Sequence, residues 1–399
     1  MKNRPEPLAY PFQESERLEV DPTYGRLRTG DGLARVQPPF GDPGWLAVRY
    51  EDVKAVLADP RFSRARALGD DVPRLVPFLP PPDTIMAMDP PEHNRLRKML
   101  AQAFTMRRVE KLRPRVQQVV DEQLDVLERA GGEADLMRSF AVPVSLTVIT
   151  ELLGVPYADR DRFGTWVGII FSAEHTPDVA MKANEELMGY LAGLVAQRRE
   201  QPGDDLLSVL VEARDSDDRL SESEMVGLAA AVLIAGFDVT GNNLGNQIYA
   251  LLSSPSHLRQ LQEDPTLVPQ AVEEMLRYIR PATGEGIPRV AVEDVELGGV
   301  VVKAGEAVLP STMSANRDAS VFEDPDTMDF TRTHNPHLAF GHGPHHCVGA
   351  QLARLELQVA IESLLRRFPG LRLAVPADDV PWLPPHAVWS APARIPVSW

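Results

Sequence analysis

The one cysteine of this 399-residue chain lies in Phe340-Gly341-His342-Gly343-Pro344-His345-His346-Cys347-Val348-Gly349, and no other stretch limits the chain as much. A lone cysteine excludes a disulfide within the chain and any multi-cysteine zinc or iron–sulfur cage. Gly341, Gly343 and Gly349 are spaced where a tight loop needs positive φ or a close approach of backbone to a flat ligand. The run from Ala350 to Ile361 places apolar residues at helical period and predicts a helix reaching about Arg367. Cys347 therefore stands just ahead of a helix N-terminus, where the dipole favours a thiolate over a thiol. Three roles remain open on these grounds: a buried hydrophobe-like cysteine, a nucleophile served by a basic histidine, or an axial ligand to a cofactor that brings its other metal ligands itself. A zinc site from His342, His345, His346 and Cys347 is disfavoured, because four ligands within six residues do not easily surround a tetrahedral ion.

The pattern Phe-Gly-x-Gly-x-His-x-Cys-x-Gly at 340–349 resembles the heme-binding loop of the cytochromes P450. The resemblance implies a mainly α fold with a small β region, holding heme b between a long central helix and the helix after the cysteine. It implies Cys347 as the proximal thiolate and metal ligand, whose electron donation favours O–O cleavage. Phe340, Gly341 and Gly349 would shape the cofactor loop, and His345 would contact a heme propionate.

Three further motifs follow the family's order. Glu274 and Arg277 share a face of an amphipathic stretch over 269–278. By resemblance they join an arginine of a later meander in a buried network, and Arg332 is the expected partner. His93 and Arg97 stand at i, i+4 behind Pro90-Pro91. On spacing alone they are a surface pair; the resemblance makes them propionate ligands, Arg97 through charge-assisted hydrogen bonds. Arg289 matches another propionate contact. The likeness covers roughly residues 40–399.

Residues 229–243 read as one long buried helix containing Ala235-Gly236-Phe237-Asp238-Val239-Thr240. Ala235 and Gly236 leave room for a ligand against the backbone, and a carboxylate as apolar-flanked as Asp238 is costly without a task. This resembles the family's oxygen-binding helix, with Asp238 as the acid. The family's usual threonine, whose hydroxyl helps deliver protons, is here Val239. Thr240 follows one residue later, about 100° around an α-helix, and is not expected to replace that hydroxyl directly. The substrate's hydroxyl or an ordered water completing the relay, a reaction that couples aromatic rings without oxygen insertion, and a leaky cycle all remain open.

Length alone suggests two or three domains; the resemblance implies a single domain over 1–399. Thirty-six prolines break the chain into many short helices. Its start is polar, and the longest apolar run, Met225 to Phe237, is about 13 residues where about 20 are needed to span a bilayer. The expectation is a soluble, monomeric, cytoplasmic enzyme. A net charge of −16 argues against a nucleic-acid partner. Against it, Arg95, Arg97, Lys98, Arg107, Arg108, Lys111, Arg113 and Arg115 form a basic stretch opposed only by Glu110. That stretch suits docking of an acidic ferredoxin, itself served by a ferredoxin reductase.

The expected substrate-lining segments are 64–86, 163–174, 232–240, 282–287 and 385–389, with Asp83, Glu174, Glu285 and His386 as possible polar anchors. The chain most resembles actinobacterial members that tailor macrolides and other secondary metabolites, with a fainter likeness to one that couples a cyclic dipeptide. The expected function is hydroxylation or epoxidation of a bulky polyketide or peptide small molecule. Oxidative coupling is the alternative, and a heme-bearing sensor without turnover is a third reading.

Overall fold

A computed structural model of the protein describes residues 6–12, 15–30, 32–76, 79, 81–171, 175–217, 220–280, 282, 284, 287–384 and 387–399. The fold is mainly α with small sheets, as expected, and the chain divides into two compact units. Each is built from several sequence segments.

The first unit comprises Met1–Pro82, Met86–Asn94 and Gln270–Cys347. Its six-stranded sheet contains β1 (Leu8–Ala9), β2 (Leu33–Gln37), β3 (Gly44–Ala47), β4 (Phe62–Ser63), β5 (Arg289–Ala291) and β6 (Ala307–Pro310), in the order β1-β2-β3-β6-β5-β4. β3 runs parallel to β6, pairing Trp45 with Val308, while β5 runs antiparallel and brings Arg289 opposite the same Val308. All residues of β3, β5 and β6 are buried, as central strands covered on both faces must be. Trp45, Val53, Phe62, Val308, Phe322 and Leu338 share one core cluster, which ties the sheet to the segment leading into the cysteine loop.

The same unit contains the expected ionic network. Glu274 and Arg277, on the helix Val268–Tyr278, are each 1% exposed. Arg277 donates from Nε and Nη2 to the two Glu274 oxygens at 2.8 and 2.7 Å. Its remaining N–H groups reach the carbonyls of Asn316, Pro325 and Thr327. Arg332 Nε lies 3.1 Å from Glu274 Oε2, so the expected partner is the observed one. Asn335 Nδ2 and the Asp329 N–H donate to the same carboxylate. Both guanidiniums reach the Glu274 carboxylate, and the network pins the meander that delivers the chain to Phe340.

The second unit comprises Asp83–Ile85, Arg95–Pro269 and Val348–Trp399. The helix Met106–Ala130 buries Val109, Val116, Val120, Leu124 and Leu127 along one stripe. It packs on the helix Ala350–Arg367, where Gln117 Nε2 donates to Ser363 Oγ at 2.9 Å. That second helix begins and ends where its apolar period predicts.

A continuous helix over Glu222–Leu252 forms the middle of this unit. Ser221 and Glu224 close a reciprocal capping box at its start. Within it, Ala235–Val239 form a π-helical turn. Added Cβ atoms at Gly236, Gly241 and Gly245 would come within 2.4 Å of Ile149 Cδ1, 2.8 Å of Ser145 Oγ and 2.2 Å of Met137 Sδ. Positions 236 and 241 are five apart, yet face the same neighbouring segment 137–153, because the π turn adds one residue to the spacing. By length and composition this helix is long and apolar enough to cross a membrane, although 56% of its most apolar window is buried inside the protein.

Candidate active site

Cys347 sits in a loop whose backbone is fixed by three short bonds. Its own N–H donates to Phe340 O at 2.8 Å, Gly341 N–H to Leu338 O at 2.8 Å, and His346 N–H to Gly343 O at 3.0 Å. Gly341 and Gly343 have φ of +72° and +70°, the left-handed region that disfavours a side chain. Gly343 also approaches Leu57 O so closely that a Cβ would lie 2.5 Å from it. Gly349 instead caps the helix Ala350–Arg367, and a Cβ there would meet nothing within 4 Å. Cys347 is exposed, which removes the reading of a cysteine packed as a core hydrophobe.

Histidine and arginine side chains gather beside the loop. The His93 and His345 rings stand 4.0 Å apart, and His93 is 1% exposed. Arg289 is 2% exposed; among the described residues its Nη1 has only long contacts of 3.4 and 3.5 Å to the carbonyls of Pro288 and Ile287, and its buried Nη2 has no hydrogen-bond partner. Burial pushes the Arg289 pKa down to about 10. Burial, then the charges of Arg64, His93 and Arg289, push His345 down to about 2, against a hydrogen bond to the Met88 carbonyl. Arg97 follows His93 by one turn on the helix Glu92–Ala103. Arg64 belongs to this group too; it opens the segment 64–86 expected to line the substrate, and no motif marks it as a cofactor contact.

On the long helix, Asp238 Oδ1 accepts from Asn242 Nδ2 at 3.1 Å. Burial raises the Asp238 pKa. Trp389 Nε1 is buried near the same carboxylate, close enough to lower its pKa but outside hydrogen-bonding geometry. Asn246, two turns after Asp238, donates to Ser390 O at 2.9 Å. Val239 is half-buried within the π turn, and Thr240 follows it at 8% exposure. Ala235 is exposed. Gly236 corrects the expectation of ligand space: the room left by its missing side chain is taken by Ile149, so the close approach it permits is that of another helix.

Of the proposed polar anchors, Asp83 is exposed, while Glu174, Glu285 and His386 lie outside the described residues. The basic stretch also narrows. Arg95 pairs with Glu224, Arg113 with Glu110, and Arg115 with Glu151 and Glu122. Lys98, Arg107, Arg108 and Lys111 are exposed, and none of them makes an ion pair among the described residues.

Heme b needs one axial ligand and cationic donors for two propionates. An exposed thiol at Cys347 and a buried Arg289 guanidinium whose Nη2 has no partner among the described residues fit those needs. Comparison with known proteins agrees. The cytochrome P450 family model matches residues 45–386, and the chain belongs to the cytochrome P450 family, whose cofactor is heme b. It is an oxidoreductase of the monooxygenase type. It is 49% identical to nocardicin C N-oxygenase of Nocardia uniformis subsp. tsuyamanensis, over 99% of this chain and 100% of that one. It is 46% identical to mycinamicin IV hydroxylase/epoxidase of Micromonospora griseorubida, over 99% of each. The crystal structure of a cytochrome P450 with biaryl coupling reactivity, P450mel 107F1, superposes with a TM-score of 0.93 at 44% identity, over 98% of this chain and 99% of the other.

Proposed function

We propose that the protein hydroxylates or epoxidises a bulky natural product, a macrolide, polyketide or peptide, acting in the cytoplasm as a monomer fed with electrons by a ferredoxin and its reductase. The observation that carries the site assignment is the exposed Cys347 in a glycine-shaped loop together with the buried Arg289 Nη2, which has no partner among the described residues. Cys347 would hold the heme iron through its thiolate, and His93, Arg97, Arg289 and His345 would hold the propionates. Bound heme b supplies the dioxygen and one-electron chemistry. Likeness to enzymes named for nocardicin C and mycinamicin IV over nearly the whole chain supports the substrate class.

The residues of the long helix handle protons. Asp238, with its raised pKa, holds a proton to higher pH than an exposed carboxylate does, and Asn242 fixes its orientation. Val239 offers no hydroxyl. A water or the substrate's own hydroxyl bridges from Asp238 to the reacting centre, with Thr240 as the nearest hydroxyl along the helix.

Lys98, Arg107, Arg108 and Lys111 receive the ferredoxin. Arg107 and Arg108 open the helix Met106–Ala130, where the dipole disfavours cations, and Met106 beside them is 73% exposed. Uncompensated cations around an exposed apolar side chain suit an acidic partner with a small hydrophobic contact.

Val239 also favours a second reading, oxidative coupling without oxygen insertion, which has a precedent in the structural relative with biaryl coupling reactivity. Natural-product candidates that shift the heme from low to high spin are the compounds to test under isotopically labelled dioxygen. Label in the product is expected, and Val239→Thr is expected to raise product formed per electron consumed. Unlabelled, coupled product would select the second reading.

A further inference from the structure

Among the described residues, neither the Arg64 guanidinium nor that of Arg289 has a carboxylate partner. Asp89 is the nearby acid, and its oxygens are already engaged: by the Ser63 hydroxyl, by the Arg64 backbone N–H at 2.7 Å and by the Ala65 N–H at 3.3 Å. Those bonds fix the chain at the end of β4 and leave both guanidiniums aside. Arg64 Nη1 donates to the Met86 carbonyl at 2.9 Å, while its buried Nε has no partner. Arg289 Nη2 is buried and partnerless in the same way. Ser63 pairs with Val290 across the antiparallel β4–β5 ladder, so Arg64 and Arg289 stand opposite each other one step further along it. Burial holds Arg64 well below the usual guanidinium pKa, with the repulsion of Arg289 adding to it.

Among the described residues, two guanidiniums thus stand against one occupied carboxylate, which leaves one positive charge uncompensated. Burying such a charge is costly unless a ligand supplies the counterion. Arginine forks suit a carboxylate, which accepts paired N–H donors in one plane.

We propose that Arg64 and Arg289 together clamp one heme propionate, which makes Arg64 a cofactor-retaining residue beyond the four named above. This rests on the heme-site reading. The same chemistry would also suit the carboxylate of a substrate, and the test separates the two sources. Because Asp89 holds Arg64 through its backbone, changing the side chain leaves those bonds in place.

Heme transfer from the ferric holoenzyme to excess apomyoglobin reads retention directly. Arg64→Ala is expected to lose heme about tenfold faster than wild type, and Arg64→Lys to fall between them. Reconstitution with heme dimethyl ester, which lacks the propionate charges, is expected to erase the difference between Arg64→Ala and wild type. Equal acceleration with both cofactors would overturn the proposal in favour of a structural role. Unchanged heme loss with weaker binding of a carboxylate-bearing ligand, but not of its methyl ester, would assign Arg64 to substrate instead. If wild type itself lacks the carbon monoxide spectrum of a thiolate heme, the underlying site reading fails, whatever Arg64 does.

Discussion

Asp238 is the residue whose charge state the fold alters with most consequence. Burial raises its pKa, so the folded protein keeps that proton to higher pH than the unfolded chain does. Stability should fall as pH rises from the unfolded carboxylate pKa through the raised folded one, and the penalty should persist above it. Asp238→Asn removes the penalty. Its melting temperature is expected to exceed that of wild type at neutral pH, with the gain vanishing in acid where both side chains are neutral, and product per electron is expected to drop. A gain that did not depend on pH would contradict this account. Cys347, His345, Glu274 and Asp238 were legible in the sequence because each lies in a short local pattern. Arg64 was not, because what marks it is a shortage of carboxylates created by folding.

The long helix shows the same division between local and tertiary signals. Its apolar run predicts a helix over 229–243, and the capping box of Ser221 and Glu224 carries it back to Glu222. The π turn at Ala235–Val239 has no counterpart in the sequence; it is visible only through the way Gly236, Gly241 and Gly245 meet the segment 137–153. Gly236→Ala forces a methyl group against Ile149, and is expected to destabilise the protein by about 1–3 kcal/mol in chemical denaturation. Ile149→Ala in the same chain should recover part of that loss by making room. If Gly236→Ala is neutral, the helix contact is not what requires the glycine.

At the scale of the whole molecule, the fold class and the family were readable because four motifs occur in order along the chain. The interleaving of segments into two units was not readable, since Asp83–Ile85 and Val348–Trp399 join a unit made mostly of Arg95–Pro269 through contacts distant in sequence. Charge shows a similar narrowing. The eight-residue basic stretch reduces to Lys98, Arg107, Arg108 and Lys111 once the ion pairs of Arg95, Arg113 and Arg115 are known. Reversing Arg107, Arg108 and Lys111 to Glu is expected to slow reduction by ferredoxin about tenfold or more at low salt. Added salt should shrink the difference, since screening weakens exposed charges. A deficit insensitive to salt would point away from electrostatic docking.

The central claim is that Cys347 holds heme iron. Reduction of the purified holoenzyme under carbon monoxide tests it most directly, with Cys347→His alongside. The wild-type protein is expected to show the red-shifted Soret band of a thiolate-ligated heme, and Cys347→His to move that band to the position of a histidine-ligated one. A wild-type band already at the histidine position, or one unmoved by Cys347→His, would contradict the account.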